Sequence, residues 1–270
     1  MPLYRADPRD GIAWVTGASS GIGRSLSLAL AREGYVVAAT ARTEENLATL
    51  QEEAAGLPGR IVPFPGDVTD EALMALLVER IEDELGEIVL SVFSAGSYLP
   101  SKGQRLDASS FRNSFEINVL GVVNGLVPAV ERMRGRGRGQ VAIVASVTAY
   151  FGWPAGAAYG GTKAAPNNIA EGLKYDFDKL NIRIQVINPG FVDTPLTNKN
   201  NFDMPAVVPV DRAAGRIVSA LKSGGFEITF PRRFTWLLKL LSILPQPLRF
   251  WFINHATGWN KRPISTGKRS

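Results

Sequence analysis

The chain has 270 residues and 29.2 kDa, 45% of them hydrophobic and 20% charged, which suits one or two domains with a sizeable core and argues against disordered, collagen-like or disulfide-stapled proteins. With no cysteine and a single histidine, His255, it can form no disulfide, thiolate nucleophile or Cys-ligated metal site, and a Ser-His-Asp triad or His-rich metal site is disfavoured. The net charge of +5 is uneven: Phe226 to Ser270 holds eight Lys/Arg and one acid, a net +7 that leaves the preceding 225 residues at −2. The basicity therefore belongs to the C-terminal segment, and no nucleic-acid partner is expected. Met1 to Asp10 carries no apolar signal-peptide core, so a cytoplasmic location is expected.

Apolar runs alternate with helical periodicity along the chain. The spacing predicts a strand at Ile12–Thr16, a helix at Gly21–Glu33, a strand at Tyr35–Thr40, a helix at Glu44–Ala55, a strand at Ile61–Phe64 and a helix at Glu71–Leu85. It continues with a strand at Ile88–Phe93, a helix at Ala108–Met133, strands at Val141–Ala145 and Ile182–Ile187 around a helix at Ala157–Leu180, then a helix at Asp211–Lys222 and a strand at Glu227–Phe230. Such βα alternation predicts an α/β, doubly wound, seven-stranded parallel sheet with helices on both faces. Residues 1–230 would form this domain and 231–270 a basic, hydrophobic C-terminal helical extension. The Arg-Gly alternation from Arg132 to Gly139 reads as a helix exit and surface turn.

Thr16-Gly17-Ala18-Ser19-Ser20-Gly21-Ile22-Gly23 follows the first strand and opens a helix. Glycines let the backbone turn tightly and approach a pyrophosphate, whose charge the helix N-terminus receives. Its spacing is not the common GxGxxG, and an ordinary glycine turn is the plain alternative. At the end of the second strand Ala39-Thr40-Ala41-Arg42 offers no carboxylate for a ribose 2′-hydroxyl but supplies a guanidinium. Arg42, assisted by Arg24, suits a 2′-phosphate, so NADP(H) is expected over NAD(H); a solvated surface charge is the alternative. Asp67 and Val68, after the third strand, are placed for the adenine edge.

Tyr159 and Lys163 lie one helical turn apart, so an ammonium stands near a phenol and is expected to favour its ionised form. Ser146, just past the fifth strand, sits at the sheet edge where ligands of open α/β sheets bind, and can donate to a carbonyl oxygen. Asn118, flanked by Ile117 and Val119, needs a hydrogen-bond partner. Each could be trivial alone; their joint occurrence after the glycine turn is what carries the reading.

These residues make the chain resemble the short-chain dehydrogenase/reductase family. The resemblance rests on Thr16–Gly23, Asp67, Ser94-Ala95-Gly96, Asn118, Ser146, Tyr159, Lys163 and Pro189-Gly190-Phe191-Val192-Asp193-Thr194, and spans residues 12 to about 195. It implies a Rossmann fold and a catalytic tetrad: Tyr159 as acid/base, Ser146 polarising the substrate oxygen, Lys163 holding the nicotinamide ribose, and Asn118 holding a water. It further implies that Ala95 and Gly96 bind the cofactor, that Pro189 and Gly190 border the nicotinamide with Val192 and Thr194 near its carboxamide, and that the chain forms a homodimer or homotetramer. Two features depart from the family: Ser94 replaces a usual amide, and Pro166 removes the N–H that would bond the Thr162 carbonyl, predicting a kink.

Tyr150, Phe151 and Trp153 suggest an apolar substrate wall or, equally, core packing. Thr194 to Pro209, with Asn198, Asn200 and Asn201, reads as a mobile lid or a polar loop. In the extension, Phe234 to Leu244 and Leu248 to Ile253 are strongly apolar, flanked by Arg232, Arg233 and Arg249, and broken by Lys239, Pro245 and Pro247 before a membrane span is reached. A peripheral membrane contact through residues 232–253 and a cap over the substrate site or a subunit interface both remain open. Thr40-Ala41-Arg42 and the apolar tail resemble the branch holding 11β-hydroxysteroid-type and related lipid-handling reductases. The expected activity is NADP(H)-dependent interconversion of a hydrophobic ketone or aldehyde and its alcohol. The alternative is a non-catalytic NADP(H)-binding sensor or membrane-associated interaction protein.

Overall fold

Seven parallel strands run through the centre of the computed structural model, which describes residues 2–104, 106–199 and 204–263. They are β1 (Ile12–Thr16), β2 (Val36–Thr40), β3 (Arg60–Pro63), β4 (Ile88–Phe93), β5 (Gly139–Val144), β6 (Ile182–Pro189) and β7 (Glu227–Phe230), ordered β3-β2-β1-β4-β5-β6-β7. The chain winds outward from β1 in one direction and from β4 in the other, so the order reverses between these neighbours and opens a crevice above their carboxyl ends. β1, β4, β5 and β6 are buried along their whole length; β1, β4 and β5 read as mostly apolar runs, while β6 buries Arg183, Gln185 and Asn188 among its apolar residues.

One face is covered by α1 (Gly21–Arg32), α2 (Glu44–Glu53) and α7 (Val210–Ser223), whose Leu26, Leu30, Leu47 and Ile217 pack on Val15, Val37 and Val92. The other face is covered by α3 (Glu71–Leu85), α5 (Gly121–Arg136) and α6 (Ala157–Phe177), with Met74, Leu77, Leu126 and Phe177 against Trp14, Ile143 and Ile184. The predicted doubly wound α/β architecture is therefore the observed one.

Three local expectations are corrected. The single helix predicted over Ala108–Met133 is three pieces: α4 (Ala108–Phe115), a π-helical turn at Glu116–Leu120, and α5. The extra residue of the π turn rotates Asn118 into the protein, and Gly121 follows because a Cβ there would meet Val68 at 2.7 Å. α5 also outlasts the predicted end at Met133, because Arg136 bridges to Glu82 at 2.7 Å and donates to the Ile88 carbonyl; the turn is left to Gly137, with φ of +68°. Finally, α6 runs unbroken through Pro166. The next residue, Asn167, donates its amide to the Lys163 carbonyl and pairs with Asn188 on β6, bracing the helix against the sheet.

The chain leaves the sheet at Phe230 and forms α8 (Arg232–Ser242) and α9 (Gln246–Thr257). Leu238, Leu241 and Ile253 from these helices bury themselves with Val147 and Phe151, the segment after β5.

Candidate active site

A cleft opens above the carboxyl ends of β1, β4, β5 and β6. Gly17, Ser19, Ser20, Gly21, Ile22, Gly23, Arg42, Asp67, Val68, Ala95, Gly96, Ser146, Tyr159, Lys163, Pro189, Gly190, Val192 and Thr194 all line it. The turn after β1 is built for close approach. Gly17 has φ of +70° and a Cβ on it would sit 2.6 Å from the Ala95 amide; a Cβ on Gly23 would sit 2.3 Å from the Gly17 carbonyl. Ser20 begins α1 without a side-chain cap and the first turn holds no acid, so the positive helix end faces the cleft uncompensated. This glycine cradle fits a dinucleotide pyrophosphate.

Thr16 ties the turn to the β4 exit by accepting hydrogen bonds from the Ser94 and Ala95 amides at 3.2 and 3.4 Å. Arg42 is largely exposed at the cleft mouth, 4.0 Å from Asp67, and a pair this open to water leaves its guanidinium available. Arg24 is placed differently from the expectation. It pairs with Glu53 at the end of α2 and does not join the cleft lining with Arg42.

The second group stands deeper. α6 carries Tyr159 and Lys163 on one face, with the Lys163 ammonium 5.8 Å from the Tyr159 ring centroid. Lys163 is buried and donates to the Val144 carbonyl at 2.9 Å; burial pulls its pKa down to about 8. Part of the Tyr159 ring faces the cleft, but the protein packed around it pushes the phenol up to about 12, with the Ser146 hydroxyl opposing that rise and Tyr98 adding to it. Against the expectation that the ammonium favours the ionised phenol, burial dominates at both groups, pushing the phenol up and pulling the amine down. Tyr98 closes over Tyr159 edge-on, with ring centroids 5.1 Å apart.

Asn118 lies behind the cleft wall, fully buried. Its amide donates to the Ser97 carbonyl and to Thr162 Oγ1, both at 2.9 Å, and its Oδ1 accepts from the Ser97 amide at 2.7 Å. One lone pair of Oδ1 is left over. Ser146 is held from below: its amide donates to Asn188 Oδ1 at 3.2 Å, and its Oγ accepts from the Thr148 amide at 3.1 Å.

Residues that sequence reasoning missed surround this core. Asn188 joins Ser146 to Glu227 on β7, donating to its carboxylate at 2.9 Å, and Tyr150 and Lys239 of α8 bind the same carboxylate. Burial pushes Glu227 up, but the hydrogen bonds from Lys239, Tyr150 and Asn188 prevail and hold its carboxyl low. The available signal was a polar residue flanked by apolar neighbours: Asn188 between Ile187 and Pro189, and Glu227 between Phe226 and Ile228. Of the proposed substrate wall, Phe151 and Trp153 instead stack on each other at 5.0 Å beneath the C-terminal helices, and Tyr150 turns to Glu227. The loop after Thr194 is closed at its base by pairing of Val192 with Val208, while Pro195, Leu196 and Thr197 join the cleft lining; Asn200 and Asn201 lie outside the described residues.

A sequence profile for short chain dehydrogenase matches residues 11–205. A Myxococcus xanthus protein described as an uncharacterized oxidoreductase is 33% identical over 236 residues, covering 87% of this chain and 93% of its own. A 3-oxoacyl-(acyl-carrier-protein) reductase of Thermotoga maritima is 32% identical over 188 residues, covering 70% and 76%. Among solved structures, an alcohol dehydrogenase of Thermococcus sibiricus complexed with 5-hydroxy-NADP superposes with a TM-score of 0.73 at 23% identity, covering 82% of this chain and 95% of its own. A short-chain dehydrogenase of Streptomyces avermitilis does so with 0.75 at 24% identity, covering 96% and 99%. The chain belongs to the short-chain dehydrogenase/reductase family and is an NAD(P)-dependent oxidoreductase.

Proposed function

We propose that the protein reduces and re-forms carbonyl groups of hydrophobic ketones or aldehydes with NADP(H), using Tyr159 as the acid/base. The observation that carries this reading is the continuity of one cleft from the glycine turn and Arg42 to Tyr159, Ser146 and Lys163. When bound, the nicotinamide would supply or accept the hydride. Gly17 to Gly23 would hold the pyrophosphate against the start of α1, Asp67 and Val68 the adenine edge, and Ala95, Gly96, Pro189, Gly190, Val192 and Thr194 the opposite end. Arg42 would select a 2′-phosphate, since no carboxylate stands after β2 to favour a free hydroxyl.

On the substrate side, the Ser146 hydroxyl and the Tyr159 phenol would both donate to the carbonyl oxygen, drawing charge onto it as it becomes an alkoxide. A phenol held near 12 keeps its proton at neutral pH and releases it only to a base as strong as that alkoxide, which suits the reductive direction. Lys163, still largely charged at pH 7, would stabilise the phenolate left behind, and a water on the free lone pair of Asn118 would return the proton. Tyr98, the aromatic ring facing Tyr159, supports an apolar substrate. The resemblance of Thr40-Ala41-Arg42 and the apolar tail to lipid-handling reductases points the same way.

NADPH oxidation against ketones of graded hydrophobicity tests the proposal. Tyr159→Phe is expected to lower turnover about 10²- to 10⁴-fold while NADPH binding, read by nucleotide fluorescence, is retained. Undiminished turnover in the variant would refute the assignment. Tight NADPH binding with no turnover on any carbonyl would favour the sensor reading.

A further inference from the structure

We infer that α8 and α9 dock the protein on the surface of an anionic lipid bilayer. Among the described residues, the large apolar side chains left exposed fall into two groups of equal number: eight scattered from Leu76 to Val207, and eight concentrated between Trp236 and Phe252. α8 is apolar on two opposite sides. Its inner side, Leu238 and Leu241, is buried against Val147 and Phe151, while Trp236, Leu237 and Leu240 on the outer side stand in solvent, Trp236 at 67% exposure. α9 repeats the pattern: Ile253 is buried, whereas Leu248, Trp251 and Phe252 are exposed, Trp251 at 64%. A helix apolar on both sides requires a second apolar medium, which water does not provide.

Charge decides which medium. The only acid from Phe226 to Ser270 is Glu227, and Lys239 already takes it. Arg232, Arg233, Arg249, Lys261 and Arg262 therefore have no carboxylate to balance them within the segment. A second copy offering the same surface would bring +7 against +7, and an electrically neutral apolar partner would leave the cations unmatched. An anionic bilayer supplies both an apolar layer and negative headgroups, with tryptophan and phenylalanine at the boundary between them. The helices would lie along that boundary, because no described helix is long and apolar enough to cross a membrane. Phe234 on α8 packs against Phe191, with ring centroids 6.0 Å apart, and against Gly190 of the cleft lining, so docking would set the substrate end of the cleft beside the lipid.

The test is co-sedimentation of the full chain with vesicles of phosphatidylcholine alone and of phosphatidylcholine with phosphatidylserine; it needs no turnover and is independent of the proposed reaction. The protein is expected to sediment with the phosphatidylserine vesicles and to be released by salt. Two variants, Trp236→Ser with Trp251→Ser, and Arg232→Glu with Arg233→Glu, are each expected to weaken binding at least about tenfold. Because all four positions are exposed, circular dichroism and thermal unfolding should match the parent. Parent protein that stays in the supernatant with both vesicles, or binding that survives both variants, overturns the inference. Concentration-dependent self-association abolished by the Trp variant, without vesicle binding, assigns the surface to a second copy instead.

Discussion

Trp14 and Trp236 are the same residue in opposite settings, and the contrast runs through the whole molecule. Trp14, on β1, is fully buried, donates to Thr40 Oγ1 at 2.9 Å and meets Phe93 edge-on at 5.6 Å. Trp236, on α8, faces solvent. The doubly wound domain covers its sheet on both faces and is nearly neutral, so its apolar residues satisfy one another. The C-terminal extension buries one side on the domain, leaves the other open and carries the net positive charge of the chain. The lesson is that the hydrophobic pattern of the domain is used up in folding, whereas part of the extension's is left facing solvent.

The contrast can be broken or sharpened by measurement. Trp14→Ala should cost about 3–5 kcal/mol in a urea titration, by lost burial and a cavity between the sheet and Gly125 of α5; a loss below about 1 kcal/mol would mean that this core collapses around the gap.

The two lysines near the site differ in kind, since Lys239 has a carboxylate and Lys163 only a carbonyl. Burial lowers Lys163 to about 8, so from there to the unfolded value near 10.4 the unfolded chain holds a proton that the folded protein has released, and stability rises with pH. Across that window the stability of the parent relative to Lys163→Met should climb by on the order of 2–3 kcal/mol. Above about pH 10 both proteins lose stability together, because Tyr159 keeps its proton to about 12 while unfolded tyrosine loses it. Flat urea midpoints for the pair of proteins between pH 8 and 10 would show that Lys163 is hydrated.

At the cleft mouth, Arg42→Ala should reduce the preference for NADPH over NADH by about 1.5–3 kcal/mol, roughly 10- to 100-fold in the ratio of kcat/KM. An unchanged ratio would remove Arg42 from phosphate recognition. Smallest of all, Trp236→Ser without lipid should change stability by no more than about 0.5 kcal/mol. A larger loss would mean that the outer side of α8 is packed in solution.

Much of the site could be read from residues close together in the chain. The turn from Thr16 to Gly23 follows a strand and opens a helix, and Tyr159 and Lys163 are related by one helical turn; local geometry of this kind survives translation into structure. What could not be read depends on partners far apart in sequence. Arg24 finds its carboxylate in Glu53, 29 residues away, and Tyr150, Asn188 and Lys239 converge on the Glu227 carboxylate from three separate segments.

The sequence by itself determined the alternation of strands and helices, the glycine cradle and the separation of charge between domain and extension, because strand burial, backbone clearance and net charge are properties of short segments. Only the tertiary structure decided which way Arg24 points, that Asn118 turns inward on a π-helical turn, and that Phe151 and Trp153 lie under α8 rather than in the cleft. It also set the protonation preferences of Tyr159 and Lys163. Desolvation depends on everything packed around a group, and no local spacing encodes that density.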